Sequence, residues 1–229
     1  MNSNYLSDKS KYKNTLNNWI SIRIVENKKY FNGLIKKINE KIKTKKGMWF
    51  KMKTVAIILE NGFEEIEAIT PYDLLNRAGI KCDLVSTKSN NVTGAHGLKA
   101  ETTIISSFDN YDMIVLPGGM PGAKNLSENE VVLNAINDFA KNDKFVAAIC
   151  ASPALVLTKT RVIDGKNVTC YPGMEENFKN SNHQNKKVVV DGKVITSQGP
   201  ATSIDFALAL IDALGGDSKS VSDGILYEI

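Results

Sequence analysis

The 229 residues of the chain are 42% hydrophobic and 24% charged, which is typical of a globular protein with a substantial core. The three cysteines, Cys82, Cys150 and Cys170, form no CxxC pair, and the chain has only two histidines. The composition therefore disfavours a disulfide framework and a zinc site, and favours a reducing compartment such as the cytoplasm. No apolar run approaches the roughly 20 residues that a membrane span needs.

The net charge of +4 is unevenly distributed along the chain. Residues 1–52 hold 13 of the 29 Lys and Arg but only three of the 25 Asp and Glu, whereas residues 53–229 carry an excess of acidic side chains. The first segment is also rich in Asn and Lys and shows no alternation of strands and helices. We therefore predict a basic N-terminal extension over residues 1–52 and a folded domain over residues 53–229.

Part of this extension has helical spacing. Apolar side chains between Phe31 and Ile42 recur at helical intervals, with lysines between them. A basic amphipathic helix of this kind can contact a membrane, bind an acidic partner or act as an organellar targeting segment, and a disordered leader is an equal alternative. No recognition motif accompanies the basic charge, so we expect no nucleic-acid binding.

Apolar segments and helical patterns alternate regularly through the domain. Strands are expected over residues 54–59, 81–87, 113–116, 145–149 and 167–170, hairpins over 90–103 and 188–196, and helices over 64–78, 129–141, 152–158 and 202–214. The first of these helices is predicted to bury Ile66, Ile69, Leu74 and Leu75. Because the strands are apolar throughout, the pattern predicts an α/β fold with a doubly wound, mostly parallel sheet. The functional site of such a fold lies at the carboxyl ends of its strands.

Cys150 is the strongest candidate for a reactive group. It directly follows the strand at 145–149, and Ser152 and Pro153 after it are suited to the N-cap and first turn of a helix. A cysteine on such a strand-to-helix turn has the geometry of a nucleophile elbow, and the helix N-terminus is expected to lower its thiol pKa. The alternative is a small buried cysteine that only packs, which is the role we assign to Cys82.

Two other strand ends carry residues that are suited to chemistry. Glu64, Glu65 and Glu67 follow the first strand, and Gly118 and Gly119 follow the third. A partly desolvated glutamate beside the thiol has a raised pKa and can move a proton, while glycines let backbone N–H groups approach an oxyanion. The alternative for the glutamates is that they only place negative charge in the first turn of a helix, and we prefer this interpretation for Glu64 and Glu65. The alternative for the glycines is a loop without a function.

Four blocks of sequence together resemble the ThiJ/PfpI superfamily, and within it the branch of the parkinsonism-associated protein deglycase (DJ-one) and its bacterial relatives. The resemblance covers about residues 53–216, and the blocks are Glu64-Glu65-Ile66-Glu67, Leu116-Pro117-Gly118-Gly119, Ala148-Ile149-Cys150-Ala151-Ser152-Pro153 and Thr196-Ser197-Gln198-Gly199-Pro200-Ala201-Thr202. It implies a flavodoxin-like sandwich, usually homodimeric, without metal or organic cofactor.

The resemblance also implies roles for individual residues. It makes Cys150 the nucleophile and Glu67 its hydrogen-bonded acid/base partner. The oxyanion site that it implies is formed by the backbone of Gly119 and Ala151, and we add Gly118 and Tyr171 as candidate oxyanion or substrate-binding residues.

The chain differs from the pattern of the superfamily that it resembles at two positions. Ala151 stands where peptidase-like members have a histidine after the cysteine, so a peptidase is disfavoured. Tyr171 stands where the close branch often has a histidine, and a tyrosine cannot act as a base near neutral pH. Acid/base chemistry is therefore assigned to Glu67, and the two histidines, His96 and His183, are expected at the surface.

Together with these residues, the resemblance implies a cofactor-independent thiol enzyme that acts on methylglyoxal or on its protein adducts, as a glyoxalase III or a protein deglycase. The competing hypothesis is a redox-sensing, chaperone-like protein of oxidative stress, in which Cys150 is oxidised to a sulfinate. A thiamine-biosynthetic role is a third hypothesis, suggested only by the superfamily's name. The expected partners are an oxoaldehyde or glycated protein and a second copy of the chain. The expected location is the cytoplasm, with organellar targeting or membrane contact only through residues 1–52.

Overall fold

The apolar segments of the domain form the strands of one central sheet. The computed structural model describes residues 52–228, so the prediction for residues 1–52 lies, apart from Met52, outside the described residues. The strands are β1 (Thr54–Ile58), β2 (Lys81–Ser86), β3 (Asn91–Thr93), β4 (Lys99–Glu101), β5 (Thr103–Ile104), β6 (Met113–Leu116), β7 (Phe145–Ile149), β8 (Asn167–Val168), β9 (Asn182–His183), β10 (Val188–Asp191) and β11 (Val194–Ser197).

Helices connect most of these strands. They are α1 (Glu65–Arg77), α2 (Gly122–Ser127), α3 (Glu130–Lys141), α4 (Ser152–Leu155), α5 (Ser203–Ala213) and α6 (Ser218–Gly224), with 3₁₀ turns at Leu157–Lys159, Glu175–Asn177 and Pro200–Thr202. None of the helices described is long and apolar enough to cross a membrane.

The central sheet has seven strands in the order β10-β11-β7-β6-β1-β2-β5. All neighbouring pairs are parallel except β10 and β11, which form the antiparallel hairpin predicted around Asp191-Gly192. The remaining strands pair as β3 with β4 and β8 with β9 in two small sheets. The prediction of a flavodoxin-like, mostly parallel sheet is confirmed.

Two apolar layers sandwich this sheet. Along β1, Val55 and Ile57 face one layer while Ala56 and Ile58 face the other, as the alternation of a strand requires. The first layer is covered by α1 and α5 through Leu74, Leu75, Phe206 and Leu210, and the second by α3 through Val132, Ile136 and Phe139. Strands buried on both faces need apolar residues at every position, which is why no polar alternation marks them in the sequence.

The predicted apolar face of α1 is wrong in part. Leu74 and Leu75 are buried, but Ile66 and Ile69 are 52% and 37% exposed, and Glu67 is fully buried instead. Ile66 and Ile69 lie about 100° and 200° around the helix from Glu67, so turning the carboxyl inward turns both isoleucines outward.

Other differences concern short elements. The helix predicted over 152–158 stops at Leu155 and continues as a 3₁₀ turn, and the strand predicted over 167–170 has only two residues. Neither α2 nor α6 was expected from the sequence. These helices have six and seven residues, and α2 begins at Gly122, the last residue of the glycine-rich segment 117–122, whose composition locally predicts a turn.

Candidate active site

Cys150 lies on a strained turn at the carboxyl end of β7. Its φ is +65°, a left-handed conformation that a residue with a side chain rarely adopts. Two backbone hydrogen bonds hold the residue there: its N–H donates to the Ser197 carbonyl over 2.9 Å, and its carbonyl accepts from the Tyr171 N–H over 2.8 Å. The nucleophile-elbow geometry predicted from the sequence is therefore present.

Ser152 does not cap the helix that follows the elbow. The N-cap position of α4 is Ala151, no side chain caps it, and the buried Ser152 hydroxyl donates instead to the Pro117 carbonyl. The predicted N-cap is wrong because this hydroxyl serves a tertiary contact. That contact fixes the elbow to the loop after β6.

Glu67 is fully buried beside the thiol. The Gly118 N–H donates to its Oε2 over 2.7 Å, and the carboxyl group also hydrogen-bonds to Cys150. Burial, with a smaller contribution from the charge of Glu64, raises the pKa of Glu67 to about 7, although the bonds from Cys150 and Gly118 act in the opposite direction. Its Oε1 has no hydrogen-bond partner within residues 52–228, so the charged form is poorly solvated.

Glu64 determines where the helix that carries Glu67 begins. Its carboxylate caps α1 by accepting the Glu67 N–H over 2.8 Å, and its own N–H donates to the Gly118 carbonyl over 3.0 Å. The first turn of α1 is thereby tied to the loop after β6. The preferred interpretation of Glu64 as a helix-end residue holds, because its side chain caps the first turn of the helix that carries Glu67.

The two glycines after β6 are required by close packing. A Cβ atom on Gly118 would lie 2.6 Å from the Cβ of Cys150 and 2.8 Å from Oε2 of Glu67. Gly119 has a φ of +87°, and a Cβ there would lie 2.4 Å from the backbone nitrogen of Glu64. The Gly118 N–H donates to Glu67 in this arrangement, so it is not directed at an oxyanion, and its role as an oxyanion donor stays a prediction.

The N–H groups of Gly119 and Ala151 are directed at the Cys150 sulfur, to which both hydrogen-bond. They are therefore placed to stabilise negative charge on the sulfur or on an oxygen bonded next to it.

The predicted lowering of the Cys150 pKa is wrong for the resting site. Burial, followed by the charge of Glu67 and the hydrogen bond with it, raises the pKa of the thiol to about 12, against the opposing bonds from Gly119 and Ala151. The helix dipole contributes little because α4 has only four residues. Burial raises the pKa of Glu67, so its carboxylate is a stronger base toward the neighbouring thiol than an exposed glutamate would be.

Tyr171 adjoins the elbow through the hydrogen bond from its N–H to the Cys150 carbonyl. Its side chain is 49% exposed, and within residues 52–228 its hydroxyl has no hydrogen-bond partner.

Cys82 is buried in β2, as predicted.

The two histidines lie away from the thiol. His96 is exposed, as expected, and its Nδ1 is 2.7 Å from Glu65 Oε2. His183 is half-buried rather than on the surface: it stacks on Phe178, and its buried Nε2 has no partner in the described part of the chain.

One group of described side chains has a spacing that a metal ion could use. The ligand atoms of Glu64, Glu65 and His96 lie within 4.8 Å of one another. Glu65 already accepts the backbone N–H of His96 and pairs with its ring, while Glu64 caps α1. Since these bonds account for the cluster, we assign no metal to it.

A model of the DJ-1/PfpI family matches residues 53–213. The chain belongs to the DJ-1/PfpI family. Protein dj-1beta of Drosophila melanogaster is 35% identical over 182 residues, which cover 76% of this chain and 97% of that protein. Protein DJ-1 homolog B of Arabidopsis thaliana is 35% identical over 173 residues, which cover 73% of this chain. The chain spans 39% and 44% of the two Arabidopsis relatives, homologs B and A, so it matches only part of their length.

Solved structures of family members share the fold. The crystal structure of Drosophila melanogaster DJ-1beta has a TM-score of 0.74 and 34% identity, and covers 77% of this chain and 99% of that one. Oxidized Toxoplasma gondii DJ-1 has a TM-score of 0.74 and 32% identity, and covers 77% and 100% of the two chains.

The role of the loop after β11 was not predicted from the sequence, although the loop lies in one of the four sequence blocks that resemble the superfamily. Ser197 supplies the carbonyl that binds the Cys150 N–H, and its hydroxyl lies 2.6 Å from the Thr202 hydroxyl. The strand that ends at Ser197 is a direct neighbour of β7. A signal was available, because carboxyl ends of neighbouring parallel strands meet at one edge of the sheet.

The buried carboxyl predicts a pH-dependent stability difference for Glu67→Gln. Since the native state raises the pKa from 4.5 to about 7, the stability that protonated Glu67 contributes is complete below pH 4.5, falls as the pH rises to 7 and is then constant. Glutamine does not titrate. Relative to the unsubstituted protein, the free energy of unfolding of the variant should therefore rise by about 3 kcal/mol between pH 4 and pH 8, as measured by urea denaturation.

Glu65→Gln is the matched control. Partial burial acts to raise the pKa of Glu65, but its hydrogen bonds with His96 lower it overall. The relative stability of this variant should change with pH in the opposite direction. A Glu67→Gln difference that is constant with pH would mean that the carboxyl does not titrate abnormally.

Proposed function

We propose that the protein is a cofactor-independent thiol enzyme that acts on α-oxoaldehydes such as methylglyoxal. The observation that carries the proposal is the pairing of a nucleophile on a strained elbow with a buried carboxyl whose pKa lies near 7. A carboxyl of that pKa can both accept and donate a proton at neutral pH, as an isomerisation requires. Membership of the DJ-1/PfpI family supports a thiol-based activity of this kind.

The first step would use the proton that Cys150 and Glu67 share. Glu67 accepts the thiol proton, and the sulfur forms a bond to the aldehyde carbon of methylglyoxal. The aldehyde oxygen takes up negative charge and then receives the proton from Glu67, which gives a hemithioacetal and leaves Glu67 as the carboxylate. The N–H groups of Gly119 and Ala151, which face the sulfur, are placed to stabilise that oxygen.

The second step moves a proton along the carbon skeleton. Glu67 removes the hydrogen from the former aldehyde carbon to give an enediol and returns a proton to the neighbouring carbon. The product is a thioester of lactate on Cys150. Water then attacks the thioester carbonyl, the S–C bond breaks, and lactate leaves with the thiol regenerated. The same attack on early glycation adducts of Lys, Arg or Cys side chains would constitute deglycation.

The proposal predicts distinct effects for the two members of the pair. Cys150→Ser should abolish methylglyoxal consumption and lactate formation by the full chain. Glu67→Gln should reduce turnover by roughly 10²- to 10⁴-fold, because an amide cannot accept the proton, while iodoacetamide still alkylates Cys150. Cys82→Ala is the control, since Cys82 lies in β2 away from the site, and it should retain turnover. Unchanged turnover in Glu67→Gln would exclude its acid/base role.

A redox role is the second candidate, and the N–H groups of Gly119 and Ala151 favour it as well. With hydrogen peroxide the Cys150 thiolate forms an S–O bond as the O–O bond breaks and hydroxide leaves, and a second peroxide gives the sulfinate. The two N–H groups and protonated Glu67 would hold the sulfinate oxygens. The Toxoplasma gondii relative has been solved as an oxidized protein.

Peroxide should oxidise Cys150 before the other two cysteines. Its side chain is the most accessible of the three, since the residues Cys150, Cys82 and Cys170 are 8%, 4% and 0% exposed. Mass spectrometry of peptides after graded peroxide treatment should show a mass increase of two oxygens at Cys150 first. Earlier oxidation of Cys82 or Cys170 would contradict the proposed reactivity of the elbow. Oxidation without any methylglyoxal turnover would favour the sensor over the enzyme.

We also propose that the protein forms a homodimer through α1. Ile66, Ile69 and Tyr72 are 52%, 37% and 38% exposed on this helix, and an exposed apolar patch of this kind indicates an interaction surface. A second copy of the chain is the expected occupant, because symmetric dimers are the commonest oligomers and the resemblance implies one.

Light scattering on the full chain at micromolar concentration should give twice the mass of one chain. Ile69→Asp should convert the protein to a monomer, because a charge buried at the interface is costly. Val190→Asp is the matched control, since Val190 is 55% exposed on β10, and it should leave the dimer intact. A single-chain mass for the unsubstituted protein would refute the dimer.

A further inference from the structure

Tyr171 carries an exposed aromatic ring and is bound through its backbone to the nucleophile elbow. Its N–H donates to the Cys150 carbonyl over 2.8 Å, so the two residues are neighbours through their backbones. Its side chain is nevertheless 49% exposed, although an aromatic ring in a folded domain is usually covered. The exposed ring therefore offers an apolar surface on a residue that is bound directly to the elbow.

The backbone of Gly199 fixes the position of this ring. A Cβ built on Gly199 would lie 3.4 Å from Cδ2 and 3.7 Å from Cε2 of Tyr171, so one edge of the ring packs over the glycine. Gly199 follows Ser197, whose carbonyl holds the Cys150 N–H. The elbow, the tyrosine and the loop after β11 thus form one connected surface, in which the ring has a defined place.

We propose that the ring of Tyr171 is the specificity surface of the Cys150 site, and that it selects electrophiles that carry an apolar or aromatic substituent close to the reacting carbon. For the oxoaldehyde class this inference rests on the proposed function. The substituent packs against the exposed part of the ring while the sulfur attacks. A histidine at this position would offer a smaller and more polar ring, so the preference is a property of tyrosine.

The expected size of the effect follows from the area that is covered. Contact between two aromatic rings favours an aromatic over a methyl substituent by about 3- to 10-fold in rate, and covering one additional methyl group favours methylglyoxal over glyoxal by about 4-fold. The phenol hydroxyl is not needed for either preference.

Alkylation of the thiol tests the preference without requiring turnover. Iodoacetamide and N-phenyl iodoacetamide both form an S–C bond to Cys150 as iodide leaves, and mass spectrometry identifies the modified cysteine. The ratio of the two rate constants is divided by the same ratio for free cysteine, which removes the intrinsic difference between the reagents. We expect about 3- to 10-fold selectivity for the aromatic reagent in the full chain.

Two variants at position 171 decide the origin of this selectivity. Tyr171→Phe keeps the ring and should keep the selectivity, whereas Tyr171→Ala should reduce it to the value for free cysteine. The rate with iodoacetamide and the thermal midpoint of each variant show that the elbow remains folded. Selectivity retained in Tyr171→Ala would overturn the proposal, and so would its loss in Tyr171→Phe, because the hydroxyl would then be responsible.

Turnover of methylglyoxal and glyoxal separates this inference from the proposed function. A preference of about 4-fold in kcat/KM for methylglyoxal that disappears in Tyr171→Ala supports both. If neither aldehyde is consumed, the proposed function fails, while the aromatic selectivity of alkylation still supports the specificity surface. If both aldehydes are consumed equally and alkylation is unselective, the specificity surface is refuted and the enzyme remains.

Discussion

The burial of the Glu67 carboxyl next to the Cys150 thiol is the constraint on which the rest of the site depends. A carboxyl group that is shielded from water keeps its proton to a higher pH, and burial raises the pKa of Glu67 to about 7. Its partners are the thiol and the N–H of Gly118, which has no side chain because a Cβ atom would collide with both members of the pair. Turning Glu67 inward also turns Ile66 outward, so the arrangement that creates the site exposes the surface proposed for the dimer.

The elbow is held by groups from three separate parts of the chain. The Ser197 carbonyl and the Tyr171 N–H bind the backbone of Cys150, while the Ser152 hydroxyl ties the following turn to Pro117. Backbone with positive φ costs roughly 1–3 kcal/mol at a residue with a side chain, and these bonds keep the turn in place against that cost. The sulfur consequently stays between Glu67 and the N–H groups of Gly119 and Ala151.

The two candidate functions depend on the same groups, which would stabilise negative charge on different atoms in each case. In the enzymatic role, Gly119 and Ala151 stabilise an oxygen on the carbon bonded to the sulfur, and Glu67 moves protons. In the redox role, the same N–H groups bind oxygens on the sulfur itself, and Glu67 remains protonated. Residue 171 is a tyrosine, which cannot act as a base near neutral pH, so among the described residues of the site both roles depend on the one carboxyl of Glu67.

The sequence by itself determined the parallel α/β fold, the elbow at Cys150 and the family, because apolar runs, turn residues and short motifs are local patterns. It did not determine which side of α1 is buried, since a lone inward carboxyl overrides the apolar periodicity at Ile66 and Ile69. It also could not show that Ser152 binds Pro117 or that Gly118 binds Glu67, since these partners are 35 and 51 residues apart. The tertiary structure alone decided the thiol pKa, because burial and the neighbouring carboxyl outweigh a four-residue helix.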